Sequence, residues 1–112
     1  MTLSMRRIVL FTKDMPGITR FFRDVLGPRP RRDEKDWKEF DADGCVIALH
    51  NGASSVGRRP PKIGFSAADI AAARAELVGR GAKMSKVMAG AGLVRCGGKD
   101  PDGNPFSIAE GE

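Results

Sequence analysis

The sequence predicts an α+β fold built from two tandem βαβββ modules. Three observations carry this prediction. Short β-branched runs alternate with apolar stretches of helical spacing. Asp-Gly dipeptides fall between strand-like runs, where hairpins turn. The two halves also overlay on each other: Ile8 falls on Ile63 and Asp14 on Asp69 at one offset, and Gly44 falls on Gly103 and Ala48 on Ser107 at a slightly longer one. A βαβββ unit cannot cover its own sheet face, so two such units are expected to pack together.

The first module, residues 5–52, opens with Arg7 to Thr12 (RIVLFT), a run suited to a buried strand. Asp14 offers an N-cap and Pro16 sits in the first turn of a helix. Met15, Ile18, Phe22, Val25 and Leu26 form one apolar face, and Gly27 with Pro28 ends it. Trp37 to Asp41 and Cys45 to His50 read as a strand pair joined at Asp43-Gly44. A linker, 53–60, lies in a stretch rich in Gly, Ser, Arg and Pro.

The second module, residues 61–110, repeats the order. Lys62 to Ser66 is strand-like, and Asp69 caps a helix carrying Ile70, Ala73, Leu77 and Val78 that ends near Gly79 and Gly81. Ala82 to Met88 and Leu93 to Cys96 are weaker strands. Asp102-Gly103 makes a turn into a last strand, Phe106 to Ala109. The stretch Met88 to Gly92 is Gly-rich but lacks the strand-loop-helix setting and the Lys-Ser/Thr of a phosphate loop.

The chain has 112 residues, the size of one domain, 1–112. Hydrophobic content of 41% and charged content of 29% exclude a disordered polyelectrolyte. The net charge of +5 and pI near 9.7 favour anionic partners. Arg29, Arg31, Arg32, Arg58 and Arg59 read as solvated loop charges. Nucleic-acid binding finds no support beyond the pI: there is no helix-turn-helix, zinc spacing or aromatic-basic repeat. Cys45 and Cys96 sit in apolar runs as small hydrophobes, and a reducing cytoplasm without a disulfide is expected. No apolar run is long enough to span a bilayer.

Three segments resemble the vicinal-oxygen-chelate superfamily of glyoxalases, bleomycin-resistance proteins and extradiol dioxygenases. They are Arg7 to Gly27 (RIVLFTKDMPGITRFFRDVLG), Pro61 to Ala82 (PKIGFSAADIAAARAELVGRGA) and Asp100 to Ile108 (DPDGNPFSI). The resemblance implies a curved mixed eight-stranded sheet with helices outside, a cleft within the curve and a homodimer. Catalytic relatives hold a divalent ion there with His or Gln, Glu, His and Glu. In this chain those positions fall on Arg7, Ala48, Lys62 and Ser107.

Two cations, a methyl group and a hydroxyl stand where donor atoms are needed. Guanidinium has no lone pair to give, and an ammonium coordinates only when deprotonated. No metal and no other cofactor is therefore expected. The cleft is expected to hold a small organic molecule, anionic or neutral, with Arg7 and Lys62 facing its charge. The opposing reading has each cation neutralised by Glu39, Asp41 or Glu110, or pointing out to solvent. By strand alternation Val9 and Phe11 share the face of Arg7, and His50 shares that of Ala48. Phe11 and Trp37 are candidates for a cleft wall or for the core, and His50 for a polar group in the cleft or a solvated strand end. The alternative function is a lyase, isomerase or dioxygenase-like enzyme of the same superfamily, with Lys62 as a base whose pKa is lowered by burial and by Arg7.

Overall fold

The structure, a computed structural model, describes residues 1–110. The chain divides into two compact units, Met1–Ser55 and the residues from Val56 onward. Among the described residues eight strands form two four-stranded mixed sheets, one in each unit, and each unit carries one helix.

In the first unit, β1 (Arg7–Thr12) leads to helix α1 (Met15–Arg20), which widens into a π-helical stretch over Phe21–Leu26. The cap is the expected one: Oδ1 of Asp14 accepts from the Gly17 N–H at 3.1 Å. Three strands follow, β2 (Arg29–Glu34), β3 (Trp37–Asp41) and β4 (Val46–Asn51). The sheet order is β1-β4-β3-β2, with β1 and β4 parallel and the other pairs antiparallel. Between β3 and β4, Asp43 and Gly44 both adopt positive φ, the two-residue turn whose twist suits a hairpin.

Strand alternation sorts this sheet into two faces. Thr12, Phe40, Ile47 and Leu49 are buried on the face that packs against Ile18 and Phe22 of the helix. Phe22 and Phe40 stack with centroids 6.1 Å apart. Arg7, Val9 and Phe11 point to the other face, where all three remain exposed.

The second unit repeats this order. Strand β5 (Ile63–Ala67) precedes helix α2 (Ile70–Gly79), then β6 (Met88–Gly90), β7 (Leu93–Lys99) and β8 (Pro105–Glu110). The order β5-β8-β7-β6 mirrors the first sheet. The parallel registers agree with the internal overlay: Ile8 pairs with Ile47, and Ile63 pairs with Phe106, its counterpart. Asp69 caps α2 through the Ala72 N–H at 3.1 Å, and Glu110 Oε2 accepts from the Ile70 N–H at 2.8 Å. Cys96, Phe106 and Ile108 are buried in this unit, as are Ile70 and Leu77 of the helix.

The turn Asp100–Asn104 is held by one buried carboxylate. Asp100 Oδ1 accepts from the N–H groups of Asp102 and Asn104, each at 2.9 Å, and Oδ2 accepts from Asn104 Nδ2 at 2.8 Å. Burial raises the pKa of Asp100, against the pull of those hydrogen bonds.

Four sequence expectations need correction. Arg29, Arg31 and Arg32 lie on strand β2, not in a loop; every residue of β2 is exposed, which is how a charged edge strand keeps water on its unpaired side. Ala82 to Met88 is not a strand, because Ser85 alone is bonded to β7 and only Met88–Gly90 pairs in register. Strand β7 runs on to Lys99, since Gly97 and Gly98 hold their pairing with Ser107 and Phe106. Val78 is 44% exposed and so leaves the apolar face assigned to it. Both cysteines are free thiols, and among the described residues no helix is long and apolar enough to cross a membrane.

Candidate functional site

The open face of the second sheet carries a pocket of about 310 Å³. Its construction follows from period-two alternation. Gly97 pairs with Ser107, Lys99 with Pro105 and Arg95 with Met88, so these six residues point to one face. Lys62, just before β5, joins them in the lining. Glycine at position 97 is required by the backbone, because a Cβ there would lie 2.7 Å from the Phe106 carbonyl oxygen.

The charges of this pocket are one-signed. Lys62, Arg95 and Lys99 line it together with the Ser107 hydroxyl, and among the described residues no carboxylate or imidazole is in the lining. Among the described residues none of these three cations forms an ion pair. Arg31, Arg32, Lys38 and Arg80, by contrast, pair with Glu39, Glu34, Asp33 and Glu76. Cys96 also lines the pocket, but burial raises its thiol pKa, which opposes the thiolate a nucleophile needs.

The acidic neighbours considered for Arg7 and Lys62 are engaged elsewhere. Glu39 accepts from Trp37 Nε1 at 2.7 Å and pairs with Arg31 Nε at 3.1 Å. Asp41 Oδ1 accepts from the Asp43 N–H, and Glu110 caps α2. Arg7 is exposed at the start of β1.

The other expected residues come together in the first unit. Phe11, His50 and Trp37 are cross-strand partners in a single row over β1, β4 and β3. The His50 ring lies 5.3 Å from Phe11 and 5.5 Å from Trp37. Phe11 is 48% exposed, so it is not a core residue. Ala48 is fully buried one row away, between Val9 and Glu39.

Lys99 lies beyond the strand end expected at Cys96, and continuing the alternation from Arg95 through Gly97 finds it; Arg95 and Met88 fall within the expected strands, but nothing in their spacing marks them as pocket-lining. Glu39 is among the acidic partners the sequence offers, but its pairing with Arg31 across a bulged edge strand leaves no trace in spacing.

The profile of the Glyoxalase/Bleomycin resistance protein/Dioxygenase superfamily matches residues 4–108. The chain belongs to this superfamily. Solved structures agree on the fold. A lactoylglutathione lyase from Agrobacterium tumefaciens superposes with a TM-score of 0.80 at 17% identity, covering 96% of this chain and 93% of its own. TnmS3, an antibiotic binding protein from Streptomyces sp. CB03234, gives 0.82 at 17%, covering 100% and 99%. A protein of unknown function from Agrobacterium tumefaciens str. C58 gives 0.83 at 23%, covering 100% and 97%. No curated protein sequence matches the chain.

The side chains at the superfamily's metal positions do not fit a divalent ion. Arg7 and Lys62 are cations, Ala48 offers a buried methyl group, and Ser107 gives a single hydroxyl oxygen. Among the described residues no three His, Cys, Asp or Glu side chains converge as a ligand set.

Proposed function

We propose that this chain is a binding protein for a small organic anion, which it holds in the second-unit pocket without a metal ion. The observation that carries the reading is the trio Lys62, Arg95 and Lys99 in one lining without a described carboxylate partner. Like charges gathered in one lining repel, and a bound anion offsets that cost. Arg95 supplies a planar fork for a carboxylate or phosphate, and the two lysines supply point charges. The volume of about 310 Å³ lies at the small end of ligand pockets, and Met88 and Pro105 give it apolar walls. A compact anion with an apolar body suits both features. Membership in a superfamily with an antibiotic-binding structural neighbour supports a binding role. The homodimer and the cytoplasmic location implied by the sequence belong to the same proposal.

Calorimetric titration with benzoate, against the uncharged benzamide, tests it. Benzoate binds saturably and benzamide at least tenfold more weakly, and Lys62→Met and Arg95→Met each weaken benzoate about tenfold or more. Equal binding of the two compounds, or wild-type affinity in both variants, overturns the proposal.

A further inference from the structure

The face that carries the cationic pocket is laid out in three rows, and the register of the second sheet gives their order. Arg95 pairs with Met88 on one side and Ala109 on the other. Two residues along β7, Gly97 pairs with Ser107, which pairs in turn with Gly64. Two residues further, Lys99 pairs with Pro105. Lys62 directly precedes Ile63, the partner of Phe106, so it stands beside Pro105 at the same level. Successive rows are about 6.7 Å apart, which places the backbone of Arg95 about 13 Å from that of Lys99.

The outer rows carry the charge, and the middle row carries little side chain. Arg95 stands at one end and Lys62 with Lys99 at the other, all three in one lining. Between the ends lie Gly97, Gly64 and the hydroxyl of Ser107. The nearby carboxylates are turned away or engaged. By alternation Glu110 belongs to the helix face, where it accepts from the Ile70 N–H. Asp100 is taken up by the N–H groups of its own turn and by Asn104 Nδ2.

A single carboxylate over Ser107 is within reach of both ends, because Arg and Lys side chains are long enough to span one row. It offsets only one of three positive charges. A second anionic group offsets another, and the glycine-and-serine middle row leaves space for a chain that joins the two. Resting on the reading of this pocket as an anion site, we propose that its ligand is a dianion. Its two anionic groups are joined by a short chain, one group toward Arg95 and the other toward Lys62 and Lys99. The Arg95 fork takes a carboxylate with two parallel hydrogen bonds, and the lysine pair takes the second group by charge. Two carboxylates on one carbon sit too close together to serve both rows.

Calorimetric titration tests this with three compounds: glutarate, glutaramate, in which an amide of the same shape replaces one carboxylate, and malonate, whose carboxylates share one carbon. Wild type binds glutarate about fivefold or more tighter than either of the others at low ionic strength, and the advantage over glutaramate shrinks as salt is added. Lys62 and Lys99 are both exposed, so replacing them leaves the core untouched. In the double variant Lys62→Met with Lys99→Met, glutarate and glutaramate bind within about twofold of each other. Glutarate binding no tighter than glutaramate, while benzoate still binds, overturns the dianion and leaves the anion pocket standing. Glutarate binding no tighter than malonate overturns the two-ended arrangement in the same way. A fivefold glutarate advantage that persists in the double variant overturns the role of the lysine row. Absence of benzoate binding removes the anion pocket, and this proposal with it.

Discussion

Ser85 and Gly97 are joined by two hydrogen bonds: the Ser85 N–H donates to the Gly97 carbonyl at 2.8 Å, and the Gly97 N–H donates to Ser85 Oγ at 3.0 Å. Arg74 of α2 holds the same segment, donating from Nε to the Ser85 carbonyl at 2.7 Å. One serine therefore ties an irregular segment to β7, and it does so at the rim of the cationic pocket, which Ser85 itself lines.

Ser85→Ala removes the acceptor for the Gly97 N–H. The expected loss is about 1 kcal/mol, or a fall in Tm of about 4–8 °C for a domain of this size. Benzoate affinity should fall as well, because the pocket wall loosens. Thermal unfolding and calorimetry on one preparation check both.

Gly97 and Gly64 are cross-strand neighbours on either side of Ser107, and they should respond differently to the same change. A Cβ at Gly97 meets a backbone oxygen at 2.7 Å, so Gly97→Ala should cost about 1–3 kcal/mol. A Cβ at Gly64 has only Ser107 Oγ near it, at 3.8 Å, so Gly64→Ala should stay within about 0.5 kcal/mol of wild type. Urea denaturation of the two variants measures the contrast.

Asp100 gives a pH signature. Its pKa is raised in the folded chain by burial, so the folded state binds the proton more tightly than the unfolded state. Its contribution is fully present below the ordinary carboxylate pKa and is lost as pH rises through the raised folded value. Asp100→Asn has no proton to bind there. Wild type should therefore gain stability relative to Asp100→Asn as pH is lowered from 7 toward 4, and paired denaturation curves across that range report the gap.

Phe22 is 2% exposed and stacks on Phe40, so it anchors the first core. Phe22→Ala should cost about 3–5 kcal/mol by transfer and cavity terms, measured by chemical denaturation.

Much of this architecture was legible in the residues. The caps at Asp14 and Asp69, the Asp43-Gly44 turn and the repeat of Ile8 at Ile63 depend on local chemistry, and local chemistry is what a sequence displays. The alternation that put Val9 and Phe11 beside Arg7 held because β1 has helix packing on one face alone. Strand β2 was hidden because an edge strand of charged residues looks like a loop: its pairing comes from β3, not from its own side chains. The far end of β7 was hidden by Gly97 and Gly98, which weaken strand propensity yet are demanded by the close approach of β8 and the Lys83–Ser85 segment. The site divided in the same way. Lys62 and Ser107 came from the resemblance to the superfamily, whereas Lys99 needed the true end of a strand, and the Trp37–Glu39–Arg31 contact needed three dimensions.

The central claim is that cations, and no metal ion, recognise the ligand of the second-unit pocket. Calorimetric titration of chelator-treated protein with benzoate at low and high salt tests it most directly, with the charge reversal Arg95→Glu alongside. Saturable binding that survives chelation, weakens with salt and disappears in Arg95→Glu is the predicted result. Binding that requires added divalent ion, or that Arg95→Glu leaves unchanged, would contradict it.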